Sequence, residues 1–237
     1  MTLLEICVDT PAGLAAAVAG GADRIELCAA LALGGLTPAP GLMAMAADCP
    51  VPVRAMIRPR EGHFLFDPGE VDAMMRDIDA ARAAGLDGVV IGAMAADGGL
   101  DLPLIERLVA HAAGMAVTLH RVIDLLPDPV EAVEAAASLG IATLLTSGGA
   151  PRAVEGMACI AAMRERAAGR IEILAGSGVN ADNAPLLLAR TGVPALHASC
   201  SAMVAGADER LLALGFERPG RRETDLALVA ALRRATR

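Results

Sequence analysis

The clearest chemistry in this sequence sits in two short runs. Leu3-Leu4-Glu5-Ile6-Cys7 and Asp23-Arg24-Ile25-Glu26-Leu27-Cys28 each set Glu-x-Cys inside an apolar stretch. Strand side chains alternate faces, so Leu3, Glu5 and Cys7 share one side of the first run and Leu4, Ile6 and Val8 the other. In the second run Arg24, Glu26 and Cys28 share a face, with Ile25 and Leu27 opposite. A buried acid is costly unless it is partnered. Neighbouring strands that deliver acids and thiols to one face therefore point to an enclosed site. Carboxylates there can move protons, and thiols can hold a soft metal.

Other strand ends add to this set. The third ends Ile57-Arg58-Pro59-Arg60, and the fifth ends Leu119-His120-Arg121 with Asp124 just beyond. The sixth runs into Thr146-Ser147-Gly148-Gly149, the seventh into Gly176-Ser177-Gly178, and the eighth carries His197. Glu5, Glu26, His120, His197 and Asp124 are acid–base candidates. Arg58, Arg60 and Arg121 are candidate clamps for a carboxylate or phosphate. Thr146, Ser147, Gly148, Gly176 and Gly178 lie in turns whose N–H groups can face an anion. Cys7 and Cys28 are the candidate metal ligands. The structural alternatives are an ion pair between Glu5 and Arg58, and glycine turns that merely connect strand to helix.

Eight strands must position these residues: Leu3 to Cys7, Arg24 to Leu27, Val53 to Arg58, Gly88 to Ile91, Ala116 to His120, Thr143 to Thr146, Ile171 to Ala175 and Ala195 to Ala198. Helical stretches separate them, among them Pro11 to Gly20, Gly69 to Ala84, Leu102 to Ala113, Pro129 to Leu139 and Pro151 to Ala168. Gly21, Gly85 and Gly140 close helices just before the next strand. Eight such units suit an α/β fold, a single (β/α)8 TIM barrel over residues 1–237 as one domain, with functional residues at the C-terminal ends of the strands. An open doubly wound sheet fits less well, because no G-x-G-x-x-G follows the first strand. Closure sets the eighth strand beside the first and makes His197, Glu5 and Glu26 neighbours around the lumen. Residues Ser199 to Glu223 read as a long connection before a last helix, Asp225 to Arg234. The loop Pro59 to Glu70 holds His63, Phe64 and Phe66 and reads as a lid or a subunit contact.

Composition bounds the function. Of 237 residues, 55% are apolar, enough for a large core. The net charge of -8 with no basic cluster outside the tail argues against nucleic acid as a partner. No apolar run is long enough to span a membrane, and the start is not a signal peptide, so the expected location is cytoplasmic. The 5 cysteines are scattered without a C-x-x-C pair, against disulfides and structural zinc. All 20 cationic residues are arginine, so Schiff-base catalysis, which needs a lysine amine, is excluded. Most methionines, including Met74, Met75 and Met163, read as core filler.

The motifs Leu-Leu-Glu-Ile-Cys, Gly-Ala-Asp-Arg-Ile-Glu-Leu-Cys-Ala, Gly-Gly-Leu-Thr-Pro, Ile-Arg-Pro-Arg-Glu-Gly-His-Phe, Leu-His-Arg-Val-Ile-Asp, Leu-Thr-Ser-Gly-Gly and Ala-Gly-Ser-Gly-Val together resemble the CutC family, in order from Leu3 to about Ser199. The resemblance implies a TIM barrel, a cytoplasmic location, a role in copper homeostasis with copper(I) binding, and self-association as a homo-oligomer. It places Cys7 and Cys28 where the family's strand-end cysteines are proposed as copper ligands. Leu119 stands where Phe is frequent and Ala39 where Ser is usual, and neither touches the polar set.

Two functions follow. One is a copper-binding homeostasis protein with Cys7 and Cys28 as ligands and no other cofactor. The other is an enzyme acting on a small anionic metabolite, with Glu5, Glu26 and His120 moving protons and Arg58 and Arg60 as clamps.

Overall fold

The computed structural model describes residues 2–204, 206 and 208–237. Eight parallel strands, β1 (Leu3–Val8), β2 (Arg24–Leu27), β3 (Val53–Met56), β4 (Gly88–Ile91), β5 (Ala116–Leu119), β6 (Thr143–Thr146), β7 (Glu172–Ala175) and β8 (Ala195–Ala198), close into a barrel in sequence order. Helices α1 (Pro11–Gly20), α2 (Pro40–Ala46), α3 (Pro68–Ala83), α4 (Leu102–His111), α5 (Ala132–Ser138), α6 (Met157–Ala167) and α7 (Ala184–Thr191) follow β1 to β7 in turn. The chain is a single (β/α)8 barrel. No described helix is long and apolar enough to cross a membrane.

Local chemistry sets the element boundaries. Thr10 caps α1 by accepting the Gly13 N–H, with Pro11 in the first turn. Asp67 and Glu70 form a reciprocal capping box on α3, again with proline in the first turn. Gly21 and Gly85, both at positive φ, turn the chain after α1 and α3. Asp23 and Asp87 follow two residues later and accept an N–H near the start of each neighbouring strand, at Leu4 and Val53, each at 2.8 Å. The repeated Gly-x-Asp thus ends a helix and registers a strand at once.

The outward strand residues Leu4, Ile6, Ile25, Leu27, Ile57 and Leu119 are fully buried against the helices, with Met74 and Met163 filling the same core. The inward positions carry the polar set. The C-terminal part departs from the sequence reading. The stretch read as a plain connection contains an antiparallel pair, β9 (Ser201–Met203) with β10 (Arg222–Thr224), and a short helix α8 (Glu209–Ala213). The last helix α9 (Leu226–Ala235) then packs on α1 so closely that a Cβ at Gly20 would lie 2.5 Å from Val229. Among these elements α9 is the outer helix that follows β8.

Candidate functional site

Register fixes the central cluster. β1 pairs with β2 so that Glu5 faces Arg24 and Cys7 faces Glu26, and β8 pairs with β1 so that His197 faces Glu5. The Glu5 carboxylate, fully buried, binds the Arg24 guanidinium on one side and His197 Nδ1 at 2.8 Å on the other. Arg24 continues to Glu172 at 2.8 Å. The ion pair of Glu5 is therefore with Arg24 and not with Arg58. Arg24 is its register partner on the adjacent strand, whereas Arg58 lies beyond the end of β3.

The same polar chain fills the barrel floor. Glu172 accepts from Thr143 Oγ1 at 3.0 Å, and Arg54 Nη1 donates to Thr143 and Thr118 hydroxyls at 2.8 and 2.7 Å. Arg54 and Glu172 were not among the sequence candidates. Both carry the signal that singled out Glu5, a charge between apolar neighbours, in Val53-Arg54-Ala55 and Ile171-Glu172-Ile173.

Above the floor, ligating atoms of Cys7, Glu26 and His197 lie within 4.8 Å of one another, all three residues buried. His197 Nε2 stands 3.8 Å from Glu26 Oε2. Burial opposes charge on His197, but the charges of Cys7 and Glu26 and hydrogen bonds to Cys7 and Glu5 hold its imidazole well above the usual histidine range. Burial raises the Glu5 carboxyl, yet the His197 hydrogen bond and the Arg24 charge prevail and hold it at about 2. Glu26 moves the other way: burial lifts it, His197 opposes, and Glu5 adds to the rise. A carboxylate and a carboxyl of raised pKa thus flank one imidazole, the separation of environments that acid–base sites use.

Cys28 does not join that trio. Its thiol donates to Glu26 Oε2 at 3.5 Å and packs with Met56, Val90 and Leu31 inside the lumen. Burial and the nearby Glu26 push its pKa well up. It is one residue removed from Cys7, through Glu26.

Arg58 and His120 form a second polar group at the ends of β3 and β5. Arg58 donates through Nη1 to the carbonyls of Leu33 and Gly35 at 2.9 and 3.2 Å, and through Nη2 to that of Gly62 at 3.0 Å. Phe64 lies 4.9 Å from the guanidinium carbon and 4.9 Å from the His120 ring. His120 Nδ1 accepts the Val122 N–H at 3.2 Å, which leaves the ring proton on Nε2. Burial and the Arg58 charge lower the His120 pKa to about 3, so the ring is neutral. Glycines of adjacent strands make room for both histidines: a Cβ at Gly92 would lie 2.3 Å from His120 Cε1, and one at Gly176 3.3 Å from His197 Cβ.

The remaining candidates hold loops. Arg60 binds Glu70 and the carbonyls of His63 and Leu65, at 2.9 and 2.8 Å, and lies over Phe66. Phe64 and Phe66 are half-buried against the core, Phe64 under Arg58 and Phe66 under Arg60. After β6 the turn does bind an anion, but the anion is internal. Asp124 accepts from Thr146 Oγ1 at 2.6 Å, from the N–H and hydroxyl of Ser147, from Gly149 N–H at 3.0 Å and from Arg121 at 2.8 Å. Gly148, at positive φ, packs on Gly156, where a Cβ would meet a carbonyl oxygen at 2.4 Å. After β7 the Ser177 hydroxyl ties to Pro151 O, and Gly178, also at positive φ, lies under the Arg152 side chain.

Among the described residues, the buried side-chain polar atoms without a hydrogen-bond partner are Glu26 Oε1, Arg58 Nε and His120 Nε2. All three belong to residues at the inner face or mouth of the barrel. Two surface depressions lie at the opposite end, around Ile171, Gly192 and Pro194 and around Thr2 and Thr236, away from these groups.

The family model that matches the chain is that of the CutC family, over residues 2–202. A family protein CutC of Sinorhizobium medicae (strain WSM419) is 54% identical over 231 residues, covering 98% of this chain and 94% of its own length. One from Caulobacter vibrioides (strain NA1000 / CB15N) is 55% identical over 237 residues, covering 99% of this chain and 97% of its own. A crystal structure of a Streptococcus agalactiae protein, provisionally named as the copper homeostasis protein CutC, matches at 31% identity with a TM-score of 0.80, over 84% of this chain and 99% of that one. A Pyrococcus furiosus thiamine phosphate pyrophosphorylase, at 17% identity and a TM-score of 0.62, shares the fold alone over 99% of this chain and 95% of its own.

Proposed function

The chain belongs to the CutC family, and from that premise we propose that it is a cytoplasmic copper-homeostasis protein that takes copper(I) as cargo at the C-terminal mouth of its barrel. The observation that carries this reading is the convergence of Cys7, Glu26 and His197 within 4.8 Å. Copper(I) prefers thiolate and imidazole to carboxylate, so Cys7 Sγ and His197 Nε2 are the fitting donors in that trio. Glu5 holds His197 through Nδ1, the outer-shell carboxylate that fixes a metal-binding imidazole. Glu26, beside both Cys28 and His197, is placed to receive the thiol proton that metal binding must displace. Cys28 is then the third donor, reached once that proton leaves. Self-association is part of the proposal, and the exposed Met203, Leu214 and Phe216 of the C-terminal segment suit a covered surface.

The test is a copper(I) titration of the reduced protein against a competing chelator. Wild type should bind one equivalent, and Cys7→Ser should abolish that binding. Stoichiometric binding that survives in the Cys7→Ser/Cys28→Ser double variant would end the proposal.

A second reading, acid–base catalysis on a small anionic metabolite, is favoured by one observation. Glu26 is a buried carboxyl with a raised pKa, beside an imidazole and with one oxygen unpartnered. Loss of metabolite binding in Glu26→Gln with copper(I) binding retained would support it.

A further inference from the structure

Two buried donors at the ends of β3 and β5 lack partners. Arg58 is 6% exposed and His120 5% exposed, yet Arg58 Nε–H and His120 Nε2–H meet no acceptor among the described residues. Leaving one such N–H buried and unpaired costs on the order of 1–3 kcal/mol, and here two occur side by side. Both residues pack on the same ring, Phe64.

Neither donor is accidental. The other two nitrogens of Arg58 bond three carbonyls, so the guanidinium is fixed and Nε is its one nitrogen with no partner among the described residues. The His120 tautomer is fixed by the Val122 N–H at Nδ1, which directs the ring proton to Nε2. Gly92 lets the ring sit where it does, since a Cβ there would collide with His120 Cε1 and Nδ1.

We propose that Arg58 Nε–H and His120 Nε2–H form a binding site for a small monocarboxylate, with Phe64 as its apolar wall. Charge and donor count select that class. Arg58 supplies the positive charge, the neighbouring Arg60 being paired with Glu70, and His120 is a neutral donor, which matches a singly charged anion. Two N–H groups match the two oxygens of a carboxylate, whereas phosphate sites commonly draw on several backbone N–H groups. Of the turns read as able to offer such groups, the one after β6 is already filled by Asp124. The site shares no residue with Cys7, Glu26 or His197, so it goes beyond the copper reading and stands or falls without it.

The probe is L-lactate, with acetate as the minimal ligand and inorganic phosphate at equal ionic strength as the contrast. Binding is followed by calorimetry and by imidazole NMR of the full chain, whose 4 histidines give few resonances to assign. Lactate should bind wild type and slow solvent exchange of the His120 Nε2 proton. His120→Phe, which keeps Arg58 and the ring volume, should weaken lactate binding on the order of tenfold or more. The Cys7→Ser/Cys28→Ser variant should bind lactate as wild type does. Three results would overturn the proposal: no carboxylate binding to wild type, unchanged affinity in His120→Phe, or phosphate binding more tightly than lactate with the same His120 response.

Discussion

At the barrel floor, Glu5, Arg24, Glu172, Thr143, Arg54 and Thr118 form one continuous chain of hydrogen bonds and ion pairs. Higher in the lumen and at its mouth, Glu26, Arg58 and His120 each keep one buried polar atom unpartnered. Both regions are made of charged groups in an apolar shell, and they differ in whether each group finds its complement within the protein. A buried charge with all its partners is part of the scaffold, and its removal costs stability. A buried donor or acceptor without a partner costs stability as it stands and is a place for a ligand to act. Glu5 joins the two regions, since it ends the floor network and holds His197 in the site above.

The comparison breaks most directly at Arg24. Arg24→Met should destabilise the protein by about 3 kcal/mol in chemical denaturation, because it leaves the buried Glu5 with His197 as its remaining partner and strips Glu172 of its arginine. A loss no larger than that of an ordinary surface substitution would show that the floor is not a coupled network.

Acid should attack the same point. The Glu5 carboxyl is held at about 2 against an ordinary 4.5, so its stabilisation is fully present above about pH 4.5 and is lost as pH falls towards 2. The full loss would be about 3 kcal/mol. Glu5→Gln should flatten the stability profile between those values, and an unchanged acid limb in that variant would locate acid sensitivity elsewhere.

Asp124 sharpens the contrast between filled and unfilled anion sites. Asp124→Ala should cost about 2 kcal/mol by stranding the N–H groups of Ser147 and Gly149, and added sulfate should restore part of the midpoint. Wild type, with its own carboxylate in place, should gain less from sulfate. The smallest effect belongs to the exposed Arg76–Asp72 pair on α3. Arg76→Ala should leave the denaturation midpoint where it is, since solvent screens such pairs.

Much of this was legible in the residues. Period-two alternation puts Glu5, Cys7, Arg24, Glu26 and Cys28 on inward faces, and Gly-x-Asp marks the passages into β2 and β4, because strand pleat and turn conformation are local consequences of residue type. Arg54 and Glu172 carried the same alternation signal and could have been found by it. The β9–β10 pair was not legible, since three-residue strands offer too short a period to read.

The sequence by itself determined an eightfold barrel of the CutC family, with acids, thiols, arginines and histidines gathered at one end. Only the tertiary structure decided who meets whom. Strand register joined Glu5 to Arg24 instead of Arg58, grouped Cys7 with Glu26 and His197, and left Cys28 on the far side of Glu26. Loop closure put Asp124 into the turn that a ligand could have occupied, and set Arg58 and His120 side by side with free donors. Face is fixed by alternation within a strand, whereas pairing depends on the stagger between strands and the path of the loops. No single segment encodes either of those.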